Sequence, residues 1–425
     1  MSKNYKNWEK LDNTAKVFPV IATDALTNTY RISVVLNEEI QPDLLQKAVD
    51  LVLPKMPGFN LRLRTGFFWY YLEENGKPAP KVVEEETYPC RRIYQNKNNS
   101  YLFRVSYYKR RINLEVFHVL TDGMGGIGFL REITYQYLRL VHPEITQKLG
   151  DGLSEETSLD REDSYVSNYK KASKSVYATK KAFLIKGDKL PYGGFGVVHG
   201  FMPVSQLKKV SKEKYGISIN EYLISAFVYA TYLTYGRHIS EKKPIRVAVP
   251  VNMRPYFDSI TTKNFFVMVS AEFAPTKDEY TFEEITKIIH ESLKSQITKE
   301  HLESIFSYNV SNEQLFIARS VPLFLKNVGI KAVYNKSALA NTTTITNIGN
   351  IKVKEEYKPY IKMFHSFLSF SKGQELKCTI TSYDDILAYT FTSAFEDTSV
   401  QRRCFRQIAS DGVEVKIETN GVYYE

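Results

Sequence analysis

Phe117-His118-Val119-Leu120-Thr121-Asp122-Gly123-Met124-Gly125-Gly126-Ile127-Gly128 is the stretch on which the fold turns. Ahead of it, Ile112 to Val119 is a β-branched, apolar run that predicts a buried strand. Behind it, Ile127, Leu130, Ile133, Tyr137 and Val141 recur at helical spacing until His142-Pro143 stops the helix. A histidine at the end of a buried strand, beside a helix opened by glycine, is placed to face a cleft. Imidazole titrates near neutral pH, so His118 is a candidate to take a proton from a hydroxyl or an amine. Asp122 need not face the same way. It is expected to pair with an arginine and hold the turn, and Gly123 leaves room for a substrate beside the histidine.

Gly123 to Gly128 also matches the dinucleotide signature G-x-G-x-x-G. That signature requires a second parallel strand after the helix, ending in an acidic residue about 20 positions on. Here Val141-His142-Pro143-Glu144-Ile145-Thr146 reads as loop. The glycines are therefore read as positions where the helix packs close to its strand.

Outward from this centre the chain mixes strands and helices. Tyr30 to Leu36 predicts a strand, and Pro42 opens a helix with Leu44, Leu45, Ala48, Val49 and Val52 on one face. Tyr101 to Tyr108 and Ile112 to Val119 read as two further strands, separated by the basic turn Lys109-Arg110-Arg111. The stretch from Gln147 to Ser175 is polar, with little to bury, and is read as a connection between two halves. Beyond it, Ser218/Glu221 and Thr281/Glu284 are capping boxes at helix starts, and Gly236 is expected to end the first of these helices. Ile245 to Val251, Thr342 to Ile348, Leu376 to Thr381 and Ile386 to Ser393 read as strands. The expectation is an α/β (α+β) protein with two lobes, residues 1–175 and 176–425.

Composition narrows the class. The 425 residues are 43% hydrophobic and 24% charged, values that belong to a globular chain and not to a disordered one. The net charge is +10, but lysine and arginine are scattered and form no long basic arm, so no nucleic-acid partner is expected. Cys90, Cys378 and Cys404 are odd in number and far apart, without a disulfide or metal spacing. No apolar run reaches the roughly 20 residues of a membrane helix. No signal-peptide core follows Met1, so a cytoplasmic protein is expected.

Four segments together carry a resemblance. His118, Asp122 and Gly123 resemble the H-H-x-x-x-D-G motif of the condensation-domain and CoA-dependent acyltransferase superfamily, with Phe117 where many members have a first histidine. That superfamily includes chloramphenicol acetyltransferase-like enzymes and alcohol acetyltransferases. Pro57-Gly58-Phe59-Asn60-Leu61-Arg62, Pro250-Val251-Asn252-Met253-Arg254-Pro255 and Thr346-Asn347-Ile348-Gly349 are similar to its P-x-L-R, P-V-N-x-R-P and S-N-x-G segments, in the same order. With the histidine motif near residue 120, the chain resembles the monomeric, two-lobed members, whose site lies in a tunnel between their own halves.

The resemblance implies a chloramphenicol acetyltransferase-like pseudo-dimer and an acyltransferase. Acyl-CoA would enter the tunnel as co-substrate, with no bound cofactor and no metal, and a small-molecule alcohol or amine acceptor would enter from the other side. His118 is then the general base. Arg254 is the expected partner of Asp122, Asn252 an orienting residue, and Thr342, Thr343 and Thr344 the candidate donors to the tetrahedral oxyanion. Two alternatives stand beside this: condensation of thioesters tethered to a separate carrier protein, and a non-catalytic protein on the same fold.

Overall fold

Two β-sheets, each with its own apolar core, organise the computed structural model, which describes residues 7–171, 181–314 and 320–421. The five-stranded sheet runs, edge to edge, Ile361–Leu368, Thr29–Leu36, Arg111–Phe117, Phe103–Tyr108 and Val83–Glu84. Its neighbours are antiparallel except the last pair. Strand Thr29–Leu36 is covered on both faces, and its alternation divides the labour. Ile32, Val34 and Leu36 enter the core with Leu45, Val49, Leu114 and Ile133. On the other face Arg31 lies opposite Glu115 and Ser33 opposite Asn113, and each pair is hydrogen-bonded. Arg31 and Ser33 are thus satisfied across strands, as burial requires, whereas the buried Thr29 hydroxyl on the same face has no partner among the described residues.

The seven-stranded sheet runs Phe266–Phe273, Ile245–Asn252, Thr343–Asn350, Leu376–Tyr383, Ile386–Ser393, Gly196–Pro203 and Lys416–Thr419. Thr343–Asn350 is parallel to both its neighbours and the remaining pairs are antiparallel. Helix Ile219–Tyr235 opens with the Ser218/Glu221 capping box and buries Leu223, Phe227 and Ala230 against this sheet's core. Gly236 follows it in right-handed helical geometry and begins a 3-10 turn, so it is not the left-handed cap its position suggests. A three-stranded sheet, Trp8–Lys10, Tyr70–Glu74 and Leu61–Thr65, completes the strands among the described residues.

The two large sheets share a unit. In the first, antiparallel strands Thr29–Leu36, Arg111–Phe117 and Phe103–Tyr108 lie side by side, and helix Gly123–Val141 follows the middle one. In the second, Gly196–Pro203, Ile386–Ser393 and Leu376–Tyr383 do the same, and helix Ser399–Ser410 follows the middle one. The halves do not separate along the chain, however. Strand Ile361–Leu368 crosses back to pair with Thr29–Leu36, and Ile351, Val353, Tyr357 and Phe364 join the first core. Residues 351–368, which follow the expected 175/176 division, thus close an edge of the first sheet. The boundary itself lies outside the described residues.

The described part of the polar connection is held against the rest of the fold. Thr262 donates through its backbone N–H and its hydroxyl to the Asp160 carbonyl, Ser158 donates to the Ile260 carbonyl, and Tyr165 is buried with its hydroxyl on the Phe266 carbonyl. It is thus strapped across residues 259–266, which border the site. No described helix is long and apolar enough to cross a membrane.

Candidate active site

Strand Arg111–Phe117 ends one residue before His118, whose backbone N–H donates to the Asn28 carbonyl. Asp122 then caps helix Gly123–Val141, its carboxylate accepting from the N–H groups of Met124 and Gly125 at 3.1 and 3.3 Å. An acidic N-cap satisfies orphan donors and complements the helix dipole. The same carboxylate accepts from the Phe265 N–H at 3.1 Å and, bidentately, from Arg254 Nη1 and Nη2 at 2.9 and 3.0 Å. Arg254 in turn donates from Nε to the Thr261 carbonyl, from Nη2 to the Lys263 carbonyl and from Nη1 to Asn252 Oδ1. All its N–H groups are spent, so Arg254 is fixed in place. The pair joins the end of one sheet's central strand to the end of Ile245–Asn252 in the other.

The glycines explain how the helix comes so close. A Cβ at Gly125 would lie 2.7 Å from the Thr262 carbonyl oxygen and closer still to Thr121 Oγ1, and one at Gly126 would lie 2.6 Å from the Tyr30 hydroxyl. At Gly123 the nearest atoms belong to Ile348, 3.9 Å away, and at Gly128 there are none. The strand before this helix is antiparallel to both neighbours, so the parallel unit of a dinucleotide site is absent from this position.

His118 is held on its Nδ1 side. Nδ1 lies 2.9 Å from Asn264 Oδ1. The orientation of that amide follows from its other contacts: Asn264 Nδ2 donates to Asp12 Oδ2 at 2.8 Å and to the His118 carbonyl at 3.3 Å, both of them acceptors. The amide oxygen must therefore face the ring, which makes Nδ1 the protonated nitrogen and leaves Nε2 with a free lone pair. Phe18 stacks on the imidazole at 4.6 Å, and Tyr30 meets it edge-on at 5.1 Å. Burial among these rings pushes the imidazole below its ordinary value, against the opposing pull of Asp122 and Asn264, so His118 is neutral at neutral pH. Asp12 is buried too. Burial raises its carboxyl from 3.8 to about 6, although Asn264 and the Ala15 N–H lower it.

These residues open on a cavity of about 500 Å³ between the two sheets. His118, Asp122, Gly123, Asn252 and Arg254 all line it. The three threonines separate. The Thr342 and Thr343 hydroxyls are buried and donate to the carbonyls of Phe183 and Leu376, which removes them as donors to a substrate. Thr344 lines the cavity, with its hydroxyl on Gln374 Oε1 at 2.6 Å. Sequence reasoning missed Asp12, Asn264, Phe18, Tyr30 and Lys377, the last a buried lysine on the cavity wall. Among the described residues no group of histidine, cysteine and acidic side chains could hold a metal.

No protein-family model matches the chain, and no curated protein sequence matches it. Solved structures do. TRI101 of F. sporotrichioides, solved with coenzyme A and T-2, covers 97% of this chain and 99% of its own at 11% identity and a TM-score of 0.64. The trichothecene 15-O-acetyltransferase TRI3 of Fusarium sporotrichioides is also 11% identical, over 97% and 96%, with a TM-score of 0.60. The condensation domain of the monacolin K polyketide synthase MokA is 9% identical over 95% and 96%, with a TM-score of 0.58. The chain thus has the mixed α/β fold shared by condensation domains and CoA-dependent acetyltransferases, over nearly its whole length.

Proposed function

We propose that the protein is an acyltransferase that moves an acyl group from a CoA thioester to a hydroxyl or amine. The observation that carries this reading is the chain from Asp12 through Asn264 to His118 Nδ1, which leaves Nε2 as a base at the cavity. The acceptor gives its proton to Nε2 as its oxygen or nitrogen bonds to the thioester carbon. The tetrahedral oxyanion collapses, the C–S bond breaks, and the departing sulfur takes the proton from the imidazolium, so His118 ends neutral. Thr344 is the one threonine of the three on the cavity wall, and it can donate to the oxyanion only by turning its hydroxyl away from Gln374 Oε1. Asp122, Arg254 and Asn252 hold the loop that carries the base. Structural likeness to a protein solved with coenzyme A supports a CoA donor.

The test incubates the protein with acetyl-CoA and longer acyl-CoAs against a panel of alcohols and amines and counts free thiol with a thiol-reactive dye. Release that needs an acceptor is the expected result, and His118→Ala should lower it by about 10²–10⁴ while circular dichroism stays unchanged. Full transfer by a folded His118→Ala protein would remove the histidine from the chemistry. Activity only with an acylated carrier protein would move the donor from free CoA to a tethered thioester.

A further inference from the structure

Lys377 is the second residue of strand Leu376–Tyr383 and is 6% exposed, yet among the described residues it forms no ion pair with a carboxylate. The other buried cations are accounted for. Arg31 pairs with Glu115, Arg246 with Glu272 and Lys263 with Glu9, while Arg139 donates to the Tyr357 hydroxyl and the Gly152 carbonyl. An ammonium carries three N–H donors, and among the described residues the hydrogen-bond partner of Lys377 Nζ is a single hydroxyl, that of Ser371. Both residues line the cavity, as does Ser369, whose backbone N–H is bound to the Thr29 carbonyl.

A buried charge without a counter-ion is costly, and folds carry one where something else supplies the opposite charge. Burial has already pushed the Lys377 amine down from 10.5 to about 8. It is also near enough to His118 to help hold that imidazole neutral. The wall around it is hydroxyl-bearing, a set of donors suited to carboxylate oxygens.

We infer that Lys377, Ser371 and Ser369 form a carboxylate-binding site in the cavity, so that a substrate places an anionic end there while its reacting group meets His118. The ligand chemistry is a small carboxylate. It can arrive on the acceptor, as a hydroxy or amino acid, or on the donor, as a dicarboxylic acyl-CoA. The kinetic arm rests on the acyl-transfer reading of the same cavity, and the binding arm does not.

The test uses Lys377→Met, which keeps the stem length and removes the charge, and Lys377→Arg, which keeps the charge. Loss of an unpaired buried ammonium should leave the Met variant folded. At pH 7, ω-hydroxy acids of four to eight carbons are compared with the matching alkan-1-ols on acetyl-CoA, and succinyl-CoA and malonyl-CoA are compared with acetyl-CoA on the alkanols. The wild type should prefer one carboxylate series. Lys377→Met should cut that preference by about 10–100-fold in kcat/KM, mainly through KM, and Lys377→Arg should restore part of it. Loss confined to the hydroxy acids assigns the carboxylate to the acceptor, and loss confined to the dicarboxylic thioesters assigns it to the donor. A preference unchanged by Lys377→Met overturns the inference. Calorimetric titration of the protein with 6-hydroxyhexanoate, succinate and hexan-1-ol provides the second arm. If no thiol is released with any pair, carboxylate binding lost in Lys377→Met keeps the site while the acyl-transfer reading falls, and binding indifferent to it overturns the site as well.

Discussion

Asp122→Asn isolates what the Asp122–Arg254 pair contributes, because asparagine keeps the side chain's shape and removes its charge. The carboxylate accepts five hydrogen bonds, three on Oδ1 from Met124, Gly125 and Arg254 and two on Oδ2 from Phe265 and Arg254. An amide can keep one oxygen. If it keeps the Oδ1 side, its NH₂ faces the Phe265 N–H and Arg254 Nη1, donor against donor. If it keeps the Oδ2 side, the conflict moves to the helix cap and Arg254 Nη2. In both cases Arg254, whose side chain is 12% exposed, loses its counter-ion. Breaking one partner of a buried pair costs about 3–5 kcal/mol, set against a total stability of about 5–15 kcal/mol.

The assay is equilibrium unfolding in urea, at low and high salt. A large drop in midpoint is expected, nearly independent of salt because the pair is shielded from solvent. The control is Asp24→Asn, which breaks the exposed pair with Arg92 and should leave the midpoint where it is. If Asp122→Asn unfolds at the same urea concentration as Asp24→Asn, the pair does not tie the two sheets and the reasoning is wrong.

Two further outcomes follow from the same geometry. Gly125→Ala should destabilise by at least about 1–3 kcal/mol, since its Cβ would press on the Thr262 carbonyl and Thr121, whereas Gly123→Ala, with 3.9 Å to Ile348, should unfold close to the wild type; equal midpoints in urea would contradict the packing. Asp12→Asn should cost about 10²-fold in kcat at pH 8, because Asn264 is then free to turn its NH₂ toward His118 Nδ1 and the protonated nitrogen changes. The folded state raises the Asp12 pKa, so the group's contribution to stability is full below 3.8 and is lost as pH rises through about 6. Ionised Asp12 therefore costs the fold about 3 kcal/mol at pH 8, and the variant should be no less stable there; a parallel loss of activity and stability would mean a structural role only.

What could be read from the sequence was whatever depends on near neighbours. The strand before His118, the helix after it, and both capping boxes are encoded within a few residues, and Asp122 carries an N-cap's identity at an N-cap's place. Strand Ile361–Leu368 is different. It lies at a sheet edge, but His365 and Ser366 are buried, so it has no polar alternation to mark it, and its partner is more than 300 positions away. Asp12 and Asn264 sit in short polar runs that read as solvent-facing loops, and only the packed fold buries them together. Lys377 shows the limit from the other side: in a strand, a lysine signals an outer face, yet both faces of this strand are covered.

The surroundings of His118 also bear on how the acyl group moves. A covalent route would need a nucleophilic hydroxyl or thiol in contact with the base. The only side chain hydrogen-bonded to the imidazole among the described residues is Asn264, on Nδ1, and the ring is otherwise packed against Phe18, Tyr30 and Phe266. Tyr30 cannot take the nucleophile's part, since its hydroxyl is committed to the Asp122 carbonyl and burial pushes it well above its ordinary pKa. Cys90, Cys378 and Cys404 are buried, with thiols raised by burial, and none lines the cavity. Under the proposed acyl transfer, His118 is thus left with an acceptor from solution as its partner, which favours direct attack on the thioester. Asp122 is neutralised by Arg254, and Lys377 adds a positive charge to the cavity wall. The field there opposes protonation of His118 before the reaction and favours the oxyanion during it, so one arrangement of charge serves both demands.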